Sequence, residues 1–161
     1  MGRSIAAAFV DESVFNLSSI VVLAESGGKR MLLTGDGRGD DILKGLTAAG
    51  FLKDKSFHVD LLKLPHHGSD NNVATEFFRI VIADHYLASG DGKYGNPEIA
   101  TLQMISEARG NSMFTLHLTY REKRLDAFFR KEKKSGKKYN VVYRDDSSPS
   151  LKVDLGEPLK S

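Results

Sequence analysis

Hydrophobic and polar positions follow two periods along this chain, one typical of strands and one of helices. Runs rich in β-branched residues predict strands over residues 18–25, 29–35, 58–64, 83–89 and 113–119, and a terminal antiparallel pair in "KYNVVYR" and "SLKVDLG". Helical spacing of apolar positions predicts helices over residues 40–50, 72–81, 98–109 and 121–138. The alternation predicts an α/β fold, with a mixed β-sheet and flanking helices.

Turn signals mark several element ends. The string Ser26-Gly27-Gly28 between two strand patterns predicts a hairpin. Pro97 is suited to the first turn of the helix that follows it. Asp40 or Asp41 is a candidate N-cap for the first long helix. Asp36 is a further candidate for that cap, but we assign it to metal binding instead.

Composition limits the class of protein. The chain has 161 residues, of which 40% are hydrophobic and 27% charged, which suits one globular domain or a large piece of one. It has no Cys, so any metal must be held by His, Asp, Glu or water. The apolar runs are far shorter than the roughly 20 residues of a membrane helix. We therefore expect a cytoplasmic chain without a membrane partner.

Basic residues are concentrated near the carboxyl end. Residues 121–144 contain ten Lys and Arg against three Asp and Glu, although the whole chain has a net charge of only +2. Leu125, Phe128 and Phe129 lie at helical spacing within this segment, which predicts an amphipathic helix with a charged outer face. The segment is read either as a solvated helix face or as a surface for nucleic acid or another polyanion.

Polar side chains follow three consecutive predicted strands. "MLLTG" runs into Asp36, "VDLLKL" into Pro65-His66-His67-Gly68-Ser69, and "HYLAS" into a glycine-rich turn. In open α/β sheets, loops after the carboxyl ends of strands meet in a crevice where ligands bind. One Asp and two His there are suitable ligands for zinc, manganese or iron. The sequence therefore predicts a metal site formed by Asp36, His66 and His67.

The same residues resemble a known family. "LLTGD", then "DLLKLPHHGS" and then "SGDGKYGNPE" resemble the second half of the metallo-β-lactamase superfamily, in particular the ComEC-like branch. Asn16 and Ser19 match the Asn-x-x-Ser segment that begins the strand pair before the metal-binding Asp in that branch. The resemblance covers about residues 15–110 and implies the C-terminal half of an αββα sandwich.

The resemblance implies roles for individual residues. Asp36 matches the carboxylate that bridges two metal ions. One of His66 and His67 matches a ligand to the second metal, and its neighbour would face the substrate; the sequence leaves open which is which. The metal implied for the complete protein is divalent, zinc or manganese.

Three further residues are candidates for substrate binding. Ser69 shapes the histidine loop, and Tyr94 and Asn96 lie in the "YGNP" block. Asn96 stands where related sequences often have His. An amide both donates and accepts hydrogen bonds but is not a general acid near neutral pH, so the departure weakens an acid role there.

A second departure concerns the first half of the fold. The superfamily's His-x-His-x-Asp-His string is absent, and His58, His85 and His117 are isolated residues that we interpret as structural. We divide the chain into an N-terminal lead-in over residues 1–14, in part introduced by cloning, a half-domain over 15–118, and a basic helix with a terminal strand pair over 119–161. The chain is either a fragment or a degenerate relative.

Three functions follow from these observations. The first is the C-terminal part of a metal-dependent hydrolase acting on a phosphodiester or another ester, inactive as an isolated chain. The second is a noncatalytic module that binds nucleic acid or a phosphate-bearing ligand. The third is a structural partner domain. Half of a sandwich leaves a sheet face uncovered, so we expect it to meet the missing N-terminal half or to self-associate as a dimer.

Overall fold

The computed structural model describes residues 13–52 and 55–156. The strands are β1 (Val22–Ser26), β2 (Lys29–Leu33), β3 (Phe57–Lys63), β4 (Val81–Ala88), β5 (Thr115–Leu118) and β6 (Asn140–Tyr143). The α-helices are α1 (Val14–Leu17), α2 (Gly39–Ala48), α3 (Thr75–Ile80), α4 (Ile99–Arg109) and α5 (Lys123–Lys134). Two short 3₁₀ helices, Pro65–Gly68 and Asp70–Asn72, lie between β3 and α3.

The six strands form one mixed sheet whose spatial order is the sequence order, β1 to β6. Among these six strands, β1 and β2 pair antiparallel and every later pair of neighbours is parallel. The predicted α/β class, with a mixed sheet flanked by helices, is confirmed. Because parallel strands need crossovers, each of the later connections carries a helix.

The hydrophobic core lies against one face of this sheet. In β5, Leu116 and Leu118 belong to the core cluster, whereas Thr115 and His117 alternate to the other face. Residues of α2, α3, α4 and α5 join the same cluster: Ile42, Leu46, Phe77, Phe78, Leu102, Ile105, Leu125 and Phe128. Four helices thus cover the same side of the sheet.

The opposite face, here called the open face, carries polar pairs. His58 Nε2 lies 3.1 Å from Asp84 Oδ2, and Lys29 Nζ lies 3.1 Å from Asp60 Oδ1. The ammonium of Lys29 also donates to the carbonyl of Leu155 at 3.1 Å. Since β3, β4 and β5 lie between β2 and β6, the chain after β6 must return across the sheet to reach Lys29.

The hairpin prediction is confirmed by the backbone. Gly27 and Gly28 form the whole two-residue loop between β1 and β2, with φ of 57° and 75°. Positive φ at both central positions is the requirement of a type I′ turn, which glycine meets without strain.

Several element ends differ from the prediction. The N-cap of α2 is Arg38, so Asp40 and Asp41 lie in its first turn, where carboxylates favour the helix dipole. Glu98 is the N-cap of α4, which places Pro97 before the helix rather than in its first turn. The predicted terminal antiparallel pair does not form, because β6 pairs in parallel with β5 and residues 151–156 have no strand partner among the described residues.

Most of the predicted lead-in over residues 1–14 lies outside the described residues. Within the described ranges, no helix combines the length and the apolar character needed to cross a membrane.

Candidate functional site

The loops after β2, β3 and β4 meet at the carboxyl edge of the sheet. His66 donates its backbone N–H to the carbonyl of Gly35 at 3.1 Å, which joins the second loop to the first. The amide of Asn96 donates to the carbonyl of His66 at 3.1 Å, which joins the third loop to the second. The parallel register of β2, β3 and β4 brings these loops together, as the strand-end argument predicted.

The histidine loop has an unusual backbone. His66 and His67 have φ of 44° and 56°, and Gly68 follows with φ of 93°. Each non-glycine residue in the left-handed region costs on the order of 1 kcal/mol or more, and such residues cluster at functional sites. A side chain at Gly68 would place its Cβ 2.7 Å from Cβ of Pro97, so only glycine fits against the third loop.

His67 faces Asp36. Its Nε2 atom lies 3.5 Å from Asp36 Oδ1. Its Nδ1 atom is held by the carbonyl of Ser89, which accepts hydrogen bonds only, so Nδ1 carries the proton. In the neutral form of the ring the lone pair is on Nε2, which faces the carboxylate. Both side chains retain solvent access, 42% exposed for His67 and 35% for Asp36.

His66 is oriented by a different group. Its Nδ1 atom donates to Oδ1 of Asn72 at 3.0 Å, and the Asn72 amide donates to the backbone carbonyl of Asp36 at 3.2 Å. Asn72 is fully buried, so it is a fixed link between His66 and the Asp36 loop. The two histidines thus have separate supports and distinct surroundings.

Asp36 is fixed by its neighbours on both sides. Its backbone N–H donates to Ser19 Oγ at 3.1 Å, which places the last residue of the Asn16–Ser19 motif in the site. Lys63 donates to the carbonyl of Gly35 at 2.9 Å and lies 4.0 Å from Asp36 Oδ1. The carboxylate therefore lies between a cation and an imidazole.

The three predicted substrate-binding residues have different positions. Ser69 is buried, and its hydroxyl accepts from the N–H of Asn71 at 3.4 Å, which caps the second 3₁₀ helix. Asn96 contacts the histidine loop through the hydrogen bond to His66. Tyr94 is 91% exposed. Ser69 and Asn96 therefore shape the loop, and Tyr94 lies in solvent beside it.

Sequence reasoning missed the residues that hold the third loop. The guanidinium of Arg124 donates to the carbonyls of Pro97 at 2.9 Å and Gly95 at 2.5 Å. The hydroxyl of Tyr120 donates to the carbonyl of Asn96. These contacts cross more than 20 residues of sequence, and no local pattern marks them. Lys63 did have a signal, because it is the single charge in the apolar string "LLKLP".

The isolated histidines pair with each other or with carboxylates. His85 and His117 share a hydrogen bond of 2.9 Å between Nδ1 and Nε2. Burial lowers the pKa of His117 to about 4, and the charge of His85 adds to that effect. Burial also lowers the pKa of His85. They lie on the open face of the sheet, so the structural interpretation of these residues agrees with their contacts.

The residues present fit one part of a metal site. Two ligands about 2.0–2.1 Å from a tetrahedral zinc ion are roughly 3.4 Å apart, close to the separation of Asp36 Oδ1 and His67 Nε2. A ligand imidazole normally donates its other nitrogen to a carbonyl or carboxylate, as His67 does to Ser89. Within residues 13–52 and 55–156, however, no three His, Asp or Glu side chains are grouped to hold an ion.

Comparison with protein-family models, curated proteins and solved structures gives no match to this chain.

Proposed function

We propose that this chain holds the second half of a metal-dependent hydrolase site of the metallo-β-lactamase type. The observation that supports the proposal is the pairing of Asp36 Oδ1 with His67 Nε2 at 3.5 Å, with the proton of His67 fixed on Nδ1. A carboxylate oxygen and an imidazole lone pair at this separation suit one divalent ion, zinc or manganese.

The two histidines have separate roles in this proposal. His67 is the ligand, because its Nε2 faces the carboxylate. His66 is held by Asn72 at the side of the same loop and would contact the substrate's phosphate or oxyanion. The left-handed backbone at both residues keeps the two rings 6.2 Å apart, with an interplanar angle of 64°.

A divalent ion would supply Lewis-acid chemistry toward a phosphodiester or another ester. The residues of this chain hold the three loops and the His67 ring in place. Ser19 and Asn72 hold the Asp36 loop, Ser89 fixes the His67 tautomer, and Arg124 holds the third loop against them. A catalytic zinc needs three protein ligands, so further ligands must come from outside this group. We therefore propose that this chain alone is inactive and needs ligands from a second polypeptide segment.

The test is a zinc titration of the full chain followed by NMR of the imidazole resonances. We expect the His67 signals to move first. We expect Asp36→Ala and His67→Ala each to weaken the apparent affinity at least tenfold. His66→Ala is the matched control, since it removes a neighbouring imidazole but not the pair, and it should retain most of the binding. Equal loss in the three variants, or shifts confined to His85 and His117, would reject the proposed half-site.

A further inference from the structure

A second site is formed far along the sheet, between α5 and the edge strand β6. This groove has a volume of about 660 Å³. Its lining includes five basic side chains and one carboxylate: Arg121, Arg130, Lys133, Lys137, Lys138 and Asp126. The groove is separate from the Asp36 and His67 pair, which follows β2 and β3.

The positive charge of the groove is not neutralised within it. Asp126 accepts a hydrogen bond from the Tyr143 hydroxyl at 2.9 Å and lies 3.4 Å from Arg121. The side chains of Arg130, Lys133 and Lys138 are exposed. Within the described part of the chain, the acidic side chains of α5 and its flanks pair with Arg121, Arg124 and Tyr143 and not with these three cations. They remain available to an anionic ligand.

Aromatic rings line the same groove as these cations. Phe129, Tyr139 and Tyr143 line the groove and are half-buried. Tyr139 is stacked on Phe114, with ring centroids 4.7 Å apart and an interplanar angle of 15°. The guanidinium of Arg121 lies 4.2 Å from the Tyr143 ring centroid. Packing from behind holds the rings rigid, and none protrudes as a membrane anchor would.

We infer that this groove binds single-stranded nucleic acid, with phosphates at Arg130, Lys133 and Lys138 and a base against the aromatic floor. A basic surface that tracks a backbone beside aromatic faces is the combination that single strands use. The volume falls in the range of ~300–1,000 Å³ typical of small-ligand sites, so the groove accommodates one or two nucleotides. The inference is independent of the proposed metal site and adds a binding function to it.

The test is fluorescence anisotropy of the full chain with a labelled 12-nucleotide oligothymidine. The triple variant Arg130→Glu, Lys133→Glu, Lys138→Glu reverses the groove's charge. The matched control is Lys123→Glu, Lys131→Glu, Lys134→Glu, which makes the same charge change on exposed positions of α5 that do not line the groove. We expect at least tenfold weaker binding in the groove variant and less than threefold in the control.

Salt dependence and a stacking variant separate charge from recognition. The slope of log K against log salt is negative, and each lost phosphate contact reduces its magnitude by about 0.7 for single strands. The magnitude of the slope should therefore be about two units smaller for the groove variant. Tyr139→Leu keeps an apolar floor but removes the ring, and it should weaken binding about fivefold or more without changing the slope.

Several outcomes would overturn the inference. They are equal loss in the two charge variants, a 12-base-pair duplex or polyglutamate competing as well as the single strand, or anisotropy that does not rise at low salt. Stronger binding to anionic phosphatidylserine vesicles than to oligothymidine would reassign the groove to a membrane surface. Circular dichroism of each variant checks that the fold is retained.

Discussion

The ammonium group of Lys63 lies 4.0 Å from the Oδ1 atom of Asp36. Only 16% of the Lys63 side chain is exposed, and burial lowers the pKa of the amine although Asp36 opposes that shift. A partly buried cation thus faces the same carboxylate that His67 faces. This arrangement gives Asp36 a positive partner within the chain.

Replacing Lys63 should change metal affinity at the proposed half-site. A divalent ion held by Asp36 and His67 would be repelled by the amine, so we expect Lys63→Met to bind zinc at least threefold more tightly in calorimetry. Lys44→Met is the control, because Lys44 pairs with Asp40 and Asp41 on α2. Loss of zinc binding in a folded Lys63→Met protein would mean that its bond to Gly35 matters more than its charge.

Gly68→Ala should destabilise the chain more than an ordinary glycine replacement. Its Cβ would meet Pro97 Cβ at 2.7 Å, in addition to the strain of φ at 93°. We expect a loss of about 2–4 kcal/mol in urea unfolding. Gly136→Ala has a similar φ of 84° but no atom within 4 Å, so it should cost only about 1 kcal/mol. Equal costs for the two variants would contradict the tight contact between the loops.

Stability should fall on mild acidification because of His117. Its pKa is lowered to about 4 in the folded chain from an ordinary value of 6.5, mainly by burial. The unfolded chain therefore takes up a proton as the pH falls below 6.5, whereas folded His117 does so only near 4. Stability from this group is present above pH 6.5 and is lost toward pH 4.

Between pH 7 and pH 5 this effect should cost roughly 2 kcal/mol of unfolding free energy. His117→Leu should remove most of that difference when urea unfolding is compared at the two pH values. An unchanged pH dependence in the variant would show that other groups, His85 among them, are responsible.

Self-association through the open face is a further prediction. Val22 and Leu33 are register partners there and are 43% and 38% exposed. We expect a dimer by light scattering at high concentration. Val22→Lys with Leu33→Lys should shift it toward monomer, whereas Tyr94→Lys, at a more exposed position outside the sheet, should not. A clean monomer of the unmodified chain would argue against association through this face.

The strand and helix patterns were sufficient for the α/β class because they depend on local periodicity. The hairpin at Gly27 and Gly28 was predictable for the same reason, since two adjacent glycines permit the required positive φ. The terminal antiparallel pair was not predictable in this way. The segment "KYNVVYR" forms β6 and pairs in parallel with β5, and this longer-range pairing takes the place of the predicted local antiparallel one.

The strand-end rule predicted that Asp36 and the two histidines would lie near one another, and the sequence by itself determined these residue types and their order along the chain. Only the tertiary structure decided that His67, rather than His66, faces Asp36. That choice depends on left-handed backbone angles and on acceptors 6 and 22 residues away, Asn72 and Ser89. The same holds for the groove beside β6, because Phe129, Tyr139 and the lysines come together only when α5 packs against the edge of the sheet. Periodicity is a property of neighbours in sequence, whereas the contacts that give a side chain its chemical role are set by packing between distant segments.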